Sequence, residues 1–368
     1  MTQIQKRVAD GLSVTTLGRD NVQEHFVTAT PKGDETPESL FQRVGDAVRG
    51  LAANVVSVES LGMSASDRMG MAVLSAAVDG GNVPLGWVEN SRTDNLCGVH
   101  VWAISGTPVK NLAFQGRRVG TVFEDDYARY CRLVGLLPVD PKATRPEQTQ
   151  TVLDQMETLL NDAGMAFSDV LRTWFYNDDI LAWYRDFNVV RTRFFHERKV
   201  FDGLLPASTG IGGRNAVSGA LSSGLIAVRA GDQDVRMSEV PSPLQSPAPT
   251  YGSSFSRAVE LEVPNLRRIY VSGTASIDGN GKSIFLGDPV AQVRQTMDVV
   301  QAILKSREMD WGDVTRALAY FKRAQDAPLF AKYREENGVP PFPVIVVEND
   351  VCRDELLFEI EVDAIATT

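Results

Sequence analysis

The chain has 368 residues, 43% of them hydrophobic and 23% charged, with a net charge of −10 and a pI near 5.0. That length exceeds what one hydrophobic core usually holds and the composition is that of a globular protein, so disorder is excluded and two domains of ordinary size are expected. The acidic balance argues against a sequence-blind nucleic-acid binder, which needs clustered Lys and Arg, and no run of about 18 apolar residues offers a membrane span.

Residues 1–23 open with MTQIQKRVADGLSV, carry no apolar leader, and read as an N-terminal arm. Cys97, Cys131 and Cys352 are too widely spaced for a disulfide framework or a CxxC metal site, which makes a reducing, cytoplasmic compartment the expectation. From residue 24, HFVTATP, ESLFQRVGDAVRGLAANVVSVESLG and CGVHVWAIS supply strand, helix, strand and strand. In FEDDYARY, Asp125 and Asp126 read as a solvated turn or helix cap in preference to cation ligands.

A repeat follows. EQTQTVLDQMETLLNDAGMAFSDVLRTWFY, ending at Tyr176, aligns without a gap on AQVRQTMDVVQAILKSREMDWGDVTRALAY, ending at Tyr320. Gln148/Gln292, Asp154/Asp298, Leu160/Leu304, Met165/Met309, Asp169/Asp313, Val170/Val314, Arg172/Arg316 and Tyr176/Tyr320 are identical, so one module occurs twice. In each copy an amphipathic helix leads into a β-rich run and a second helix. A proline then breaks that helix before a terminal strand, in LLPASTGIG and VPPFPVIVVEN.

GIGGRNAVSG, residues 210–219, lacks the spacing of a phosphate loop and leads into a strand-like run. The Pro- and Ser-rich EVPSPLQSPAPTYGSS reads as a linker, with a boundary near residue 240. The domains expected are therefore the arm, a degenerate module over 24–240 and a second module over 241–368 that carries the working site. In the second, RAVELEVP and RRIYVSGTASI alternate as a hairpin. At the C-terminal end, VVENDVCRDELLFEIEVDAIA places Leu357, Glu359 and Glu361 on one strand face and Phe358, Ile360 and Val362 on the other; spacing alone favours solvent-facing glutamates. The fold class expected is α+β, with two tandem modules, each a mixed sheet with helices on one face.

RRIYVSGTASIDGNGKSIFLGDPVAQVRQTMDVVQAIL, DVTRALAYF and ELLFEIEVDAIA together resemble the RidA/YjgF (endoribonuclease L-PSP-like) family of small-ligand-binding and imine-hydrolysing proteins. RTWFYNDDILAWYRDFNVVRTRFF with LLPASTGIGG, then APTYGSSFSRAVELE, VSGTASI and VCRDELLFEIE, is similar to chorismatases, the two-module branch that removes pyruvate from chorismate. The resemblance spans roughly residues 95–366. It implies a small-molecule carboxylate substrate, no cofactor, and modules that associate around a three-fold axis, hence a homo-oligomer with trimer-like packing. The chain departs from RidA proteins by Ser208 and Pro343 near the slot of their arginine, and from chorismatases by Leu286 in place of a loop histidine. His25, His100 and His196 lie elsewhere with no metal spacing, so no metal is expected.

The resemblance assigns Glu359 as the catalytic acid. Loss of pyruvate from an enolpyruvyl ether needs protonation of the vinyl carbon, and a glutamate desolvated in an apolar cleft stays protonated near neutrality and can supply that proton. Glu361 reads as structural. Arg353, six residues before Glu359, and Arg257 are the candidate carboxylate anchors, because a guanidinium binds a carboxylate through two parallel hydrogen bonds. Tyr251 is expected to cap the pocket, with Gly273, Thr274 and Ala275 as its floor. Cys352 is expected as a small wall residue, since no neighbour in sequence activates it as a nucleophile. Two other readings stay open: a non-catalytic small-molecule binding protein and an imine or enamine deaminase.

Overall fold

The computed structural model describes residues 2–64, 68–231 and 234–368, which form three six-stranded mixed sheets. The first module runs β1 (Gln3–Ala9), β2 (Leu12–Arg19), β3 (Val22–Ala29), α1 (Pro37–Leu51), β4 (Asn54–Gly62), α2 (Arg68–Asp79), β5 (Leu85–Glu89) and β6 (Gly98–Ser105). The second runs β7 (Val109–Phe114), β8 (Arg117–Glu124), β9 (Ala128–Leu136), α3 (Arg145–Asp162), β10 (Val170–Asn177), α4 (Ile180–Glu197), β11 (Ala207–Gly212) and β12 (Leu221–Ala230). The third runs β13 (Arg236–Val240), β14 (Ala258–Val263), β15 (Leu266–Ala275), α5 (Pro289–Lys305), β16 (Val314–Phe321), α6 (Pro328–Glu336), β17 (Ile345–Glu348) and β18 (Phe358–Ala366). All three share one spatial order. Numbered within its module, each sheet reads 1-2-3-6-4-5, with the fourth strand parallel to the fifth and antiparallel to the sixth.

The α+β class, the mixed sheets and the gapless repeat are all found: residues 148–176 and 292–320 are α3–β10 and α5–β16, each with a 3-10 turn between helix and strand. The number of sheets corrects the two-module expectation. Residues 3–19, expected in an arm, form the edge hairpin β1–β2, with Leu17 buried in the core. The stretch 24–240 holds the rest of the first sheet and all of the second, and β13 starts the third sheet at Arg236, ahead of the expected boundary. The first copy escapes a gapless comparison because α1 ends at Leu51 and β4 starts at Asn54, without the 3-10 turn of the other two. A β-bulge at the same point of the fourth strand, before Ser57, Arg172 and Arg316, nevertheless sets the three strands in register.

Local chemistry explains the helices. Thr144 and Glu147 close a reciprocal capping box at the start of α3, Asp288 accepts from Ala291 N at the start of α5, and Pro37 and Pro289 occupy first-turn positions where no N–H is needed. One face of each sheet is covered by its own helix pair. In the third module Phe358, Ile360, Val362 and Ala364 of β18 pack with Val293, Met297 and Val300 of α5. The other faces turn inward onto one another, joining Leu17, Trp102 and Ile104, then Phe123, Tyr130 and Trp174, then Leu261, Tyr270 and Tyr320 in one shared core.

The contacts close a ring: β5 meets β9, β11 meets β15, and β17 meets β4 and β6. The three modules of this one chain thus adopt the trimer-like module packing that the resemblance implies. At its centre lies a buried ionic cluster. Glu59 of β4 pairs with Arg132 of β9 (3.0 Å) and Arg316 of β16 (3.3 Å), and Glu361 of β18 pairs with Arg172 of β10 (2.9 Å) and Arg316 (2.7 Å). The Trp174 ring lies 4.4–5.0 Å from the guanidinium carbons of Arg132, Arg172 and Arg316. Such a cluster adds little net stability over apolar packing, but a mispaired register would strand a buried charge at several kcal/mol. No helix among the described residues is long and apolar enough to cross a membrane.

Candidate active site

The carboxylates of β18 do not face solvent. Alternation sends Glu359, Glu361 and Asp363 inward, and they are 4%, 0% and 8% exposed. Spacing alone misleads here because it reports two faces, and in this fold the second face is covered by other modules.

Glu359 reaches a cleft of about 630 Å³, counting its open mouth, between the second and third modules. The seam is built by backbone and hydroxyl bonds. Ser208 N donates to Ser272 Oγ (2.8 Å), Gly273 N donates to Thr209 Oγ1 (3.0 Å), and Ser256 N donates to Pro206 O (3.0 Å). Gly273 on β15 leaves room for the Glu359 carboxyl in its present position, because a methyl group there would run into that carboxyl and force it aside. Among the described residues that carboxyl has no hydrogen-bond partner, and burial, reinforced by the Glu361 carboxylate, pushes it up to about 8 against the opposing pull of Arg172 and Arg257.

Arg257 is 3% exposed; its Nε donates to Ser246 O (3.0 Å), its guanidinium lies 5.4 Å from the Tyr251 ring centre, and its Nη2 is buried without a hydrogen-bond partner. Arg353 is half-buried at the wall, with Nη1 donating to Gly281 O (2.7 Å) and Ser283 Oγ (3.3 Å). Tyr251, Gly273, Ala275 and Cys352 also line the cleft. Burial pushes the Cys352 thiol up to about 12, so it is a neutral wall group at pH 7. Thr274 is the exception. It sits opposite Ile360 on the helix-facing side of β15, its Oγ1 donating to Ser272 O (2.9 Å), because a residue between two floor positions of a strand points the other way.

Four wall residues come from the second module and were not anticipated: Tyr184 and Arg191 of α4, and Ser208 and Gly210 of β11. Arg191 is 1% exposed, donating to Asn188 Oδ1 (2.7 Å) and Ser208 Oγ (3.4 Å). The available signal was the polar stripe Tyr184, Asn188, Arg191 at helical spacing in an otherwise aromatic helix. The Pro- and Ser-rich stretch is likewise wall, not linker: Gln245 Nε2 donates to Ala275 O (3.0 Å), and Ser253 lines the cleft. Leu286 is 65% exposed and stands outside the cleft walls, and His25, His100 and His196 lie elsewhere. Asp125 is held in a turn by Tyr127 N and Ala128 N (both 2.9 Å) and by Arg19.

The other two junctions lack this equipment. Opposite Tyr320 stands Glu359, but the equivalent pairs are Tyr176 with Ser222 and Leu61 with Gly98. Beside Gly98 the space is filled: a methyl group there would sit 2.6 Å from Ala29 O and 2.9 Å from Ile345 Cδ1.

Comparison with known proteins follows the same division. Residues 246–367 match the endoribonuclease L-PSP family, and residues 116–223 match the N-terminal region of the chorismatase FkbO/Hyg5-like family. A 3-hydroxybenzoate synthase of Streptomyces hygroscopicus is 29% identical over 273 residues, covering 67% of this chain and 76% of that protein. A chorismatase of Streptomyces rapamycinicus is 30% identical over 220 residues, covering 54% of this chain and 64% of that protein, just under two thirds of its length. The crystal structure of a chorismatase superposes with a TM-score of 0.65 over 84% of this chain and 93% of that one, at 20% identity, a likeness of fold.

Proposed function

We propose that this chain, which belongs to the RidA/YjgF (endoribonuclease L-PSP-like) superfamily in a multi-module form resembling chorismatases, is a chorismatase-like hydrolase that releases pyruvate from chorismate or a related enolpyruvyl metabolite. One observation carries the reading: Glu359 is buried at the floor of a cleft whose walls include buried arginines, and that burial pushes its carboxyl up to about 8, the range of an acid that can donate a proton near neutrality. In the reaction, Glu359 gives its proton to the terminal vinyl carbon of the ether. The positive charge that develops on the ether carbon is stabilised by the carboxylate left behind. Water adds to that carbon and returns a proton to the Glu359 carboxylate; the hemiketal then breaks its C–O bond to the ring, its hydroxyl proton passing to the departing alcohol oxygen, so ether and water become pyruvate and alcohol with no redox change. Arg257, through its free Nη2, and Arg353 anchor the substrate carboxylates, with Arg191 facing them from the second module. Cys352, held as a thiol, forms wall.

The test is pyruvate release from chorismate by wild type and by Glu359→Gln at saturating substrate. Glu359→Gln is expected to bind chorismate and to turn over roughly 10²–10⁴-fold more slowly, the usual share of general acid catalysis. Equal rates would remove Glu359 from the mechanism. Chorismate bound by wild type without pyruvate would assign the cleft to a non-catalytic binding protein.

A further inference from the structure

We infer that Glu361 and Arg172 are positioning residues for Glu359: a buried ion pair, shared between two modules, that fixes the cleft floor and sets the electrostatic field at the acid. The inference rests on the reading of Glu359 as the general acid and extends it to groups that touch no substrate.

The geometry runs in one unbroken chain. Glu361 lies two residues from Glu359 on the same face of β18 and is fully buried. Its Oε1 accepts from Trp174 Nε1 (2.8 Å) and Arg316 Nη1 (2.7 Å), and its Oε2 accepts from Arg172 Nη2 (2.9 Å). Arg172 is itself 0% exposed, and the same Nη2 donates a second bond to Thr209 Oγ1 (2.6 Å). Thr209 Oγ1 in turn accepts from Gly273 N, and the Glu359 carboxyl rests against the Cα of Gly273. A displacement of Arg172 is therefore passed to the floor beneath the acid through two hydrogen bonds.

The electrostatics are opposed. Glu361 is an anion that disfavours a second anion at Glu359, and Arg172 is a cation that favours it. The other ionisable groups facing Glu359 come from each adjoining element: Arg257 before β14, Cys352 before β18, and Tyr184 of α4. Those facing Glu361 are Arg316 and Tyr320 of β16, Tyr176 of β10, and Asp363 on its own strand. Arg316 is shared with Glu59 and Asp363, so loss of Glu361 leaves it two ion-pair partners, whereas among the described residues Arg172 keeps no other ion pair and acts on Asp363 and Glu359 only at longer range. Arg172 is consequently the cation through which a change at Glu361 is felt in the cleft.

The experiment reads the acid directly. Infrared difference spectra between paired pH values follow the protonated-carboxyl band of Glu359, assigned by its absence in Glu359→Gln, with no substrate present. The result is therefore obtained whether or not chorismate is turned over. Glu361→Gln is expected to lower the Glu359 titration by about one unit or more, and Arg172→Gln to raise it by a similar amount, since each change removes one sign of charge. Arg172→Gln combined with Glu361→Gln removes the pair together and leaves neither an unpaired partner, so it should fold where a single variant does not and should titrate near the wild type. A merely structural pair would alter melting and leave the Glu359 titration in place. An unchanged titration in a folded single variant, shifts of the same sign in both, or a double variant that stays displaced would overturn the inference.

Discussion

Glu359→Gln should make the protein more stable, by an amount that grows with pH. An ordinary glutamate titrates near 4.5, and burial raises this one to about 8. With the folded value above the unfolded one, the folded state holds the proton while the unfolded state releases it. The stabilising term is complete below pH 4.5 and is lost as pH rises toward 8. A glutamine has no proton to lose, so it escapes the penalty. Worked from that shift at 1.36 kcal/mol per unit, the variant should gain about 1 kcal/mol over wild type at pH 5 and about 3 kcal/mol at pH 7, levelling off above pH 8. Urea unfolding of both proteins at pH 5, 7 and 8, with slopes compared, measures the difference. A gain that is flat across this range, or a loss of stability in the variant, would refute the claim that the acid is held protonated by burial. The expected outcome is a stability cost carried for function, of the kind that active sites commonly impose.

Three further outcomes follow from the same geometry. Pyruvate release per unit of free substrate should be level below pH 8 and fall about tenfold per unit above it, because only protonated Glu359 donates; a profile that rises through pH 8 would require a base in its place. Arg257→Ala should weaken chorismate binding by about 2–5 kcal/mol, seen calorimetrically with Glu359→Gln as background, since it removes a buried cation with a free donor. Glu59→Gln should destabilise the chain by about 3–5 kcal/mol at pH 7. Burial alone would raise the Glu59 carboxyl, but Arg316 and Arg132 outweigh it and hold it near 2, so its stabilising contribution, present above pH 4.5, fades as pH falls toward 2 and the penalty of the variant should shrink in acid melts.

What the sequence disclosed was local. The helix–strand repeat, the hairpin of the third module and the inward set Glu359, Arg353, Arg257, Tyr251 and Cys352 all follow from spacing or resemblance within a single stretch. What it concealed depends on neighbours that sequence does not bring together. Arg172 and Arg316 stand out as repeat identities, yet nothing in either copy says that both reach Glu361 from different sheets. Tyr184 and Arg191 look like ordinary helix residues until β11, with α4 beside it, is set against β15. The first sheet was missed because its helix-to-strand joint is shorter and its bulge carries Ser57 where the others carry arginine.

In a three-module ring the proposed site can stand at a single junction. A homotrimer would repeat every junction, so a residue good for catalysis at one is imposed on all three. Within one chain each junction is free to diverge. The junction holding Gly98 has become packing, with Ile345 pressed where a side chain would go, and the position equivalent to Glu359 in the second module is Ser222, too short to place an acid in a cleft. Among the described residues, it is between the second and third modules that a glycine, Gly273, makes room for a carboxyl from another strand. That room has an electrostatic cost: an acid in a buried floor, next to Glu361, is tolerable only because it remains neutral and because Arg172 and Arg316 absorb the charge of its neighbour. The central cluster is therefore more than a lock on register. It places Arg172 and Arg316 on Glu361, two residues from the carboxyl proposed as the acid.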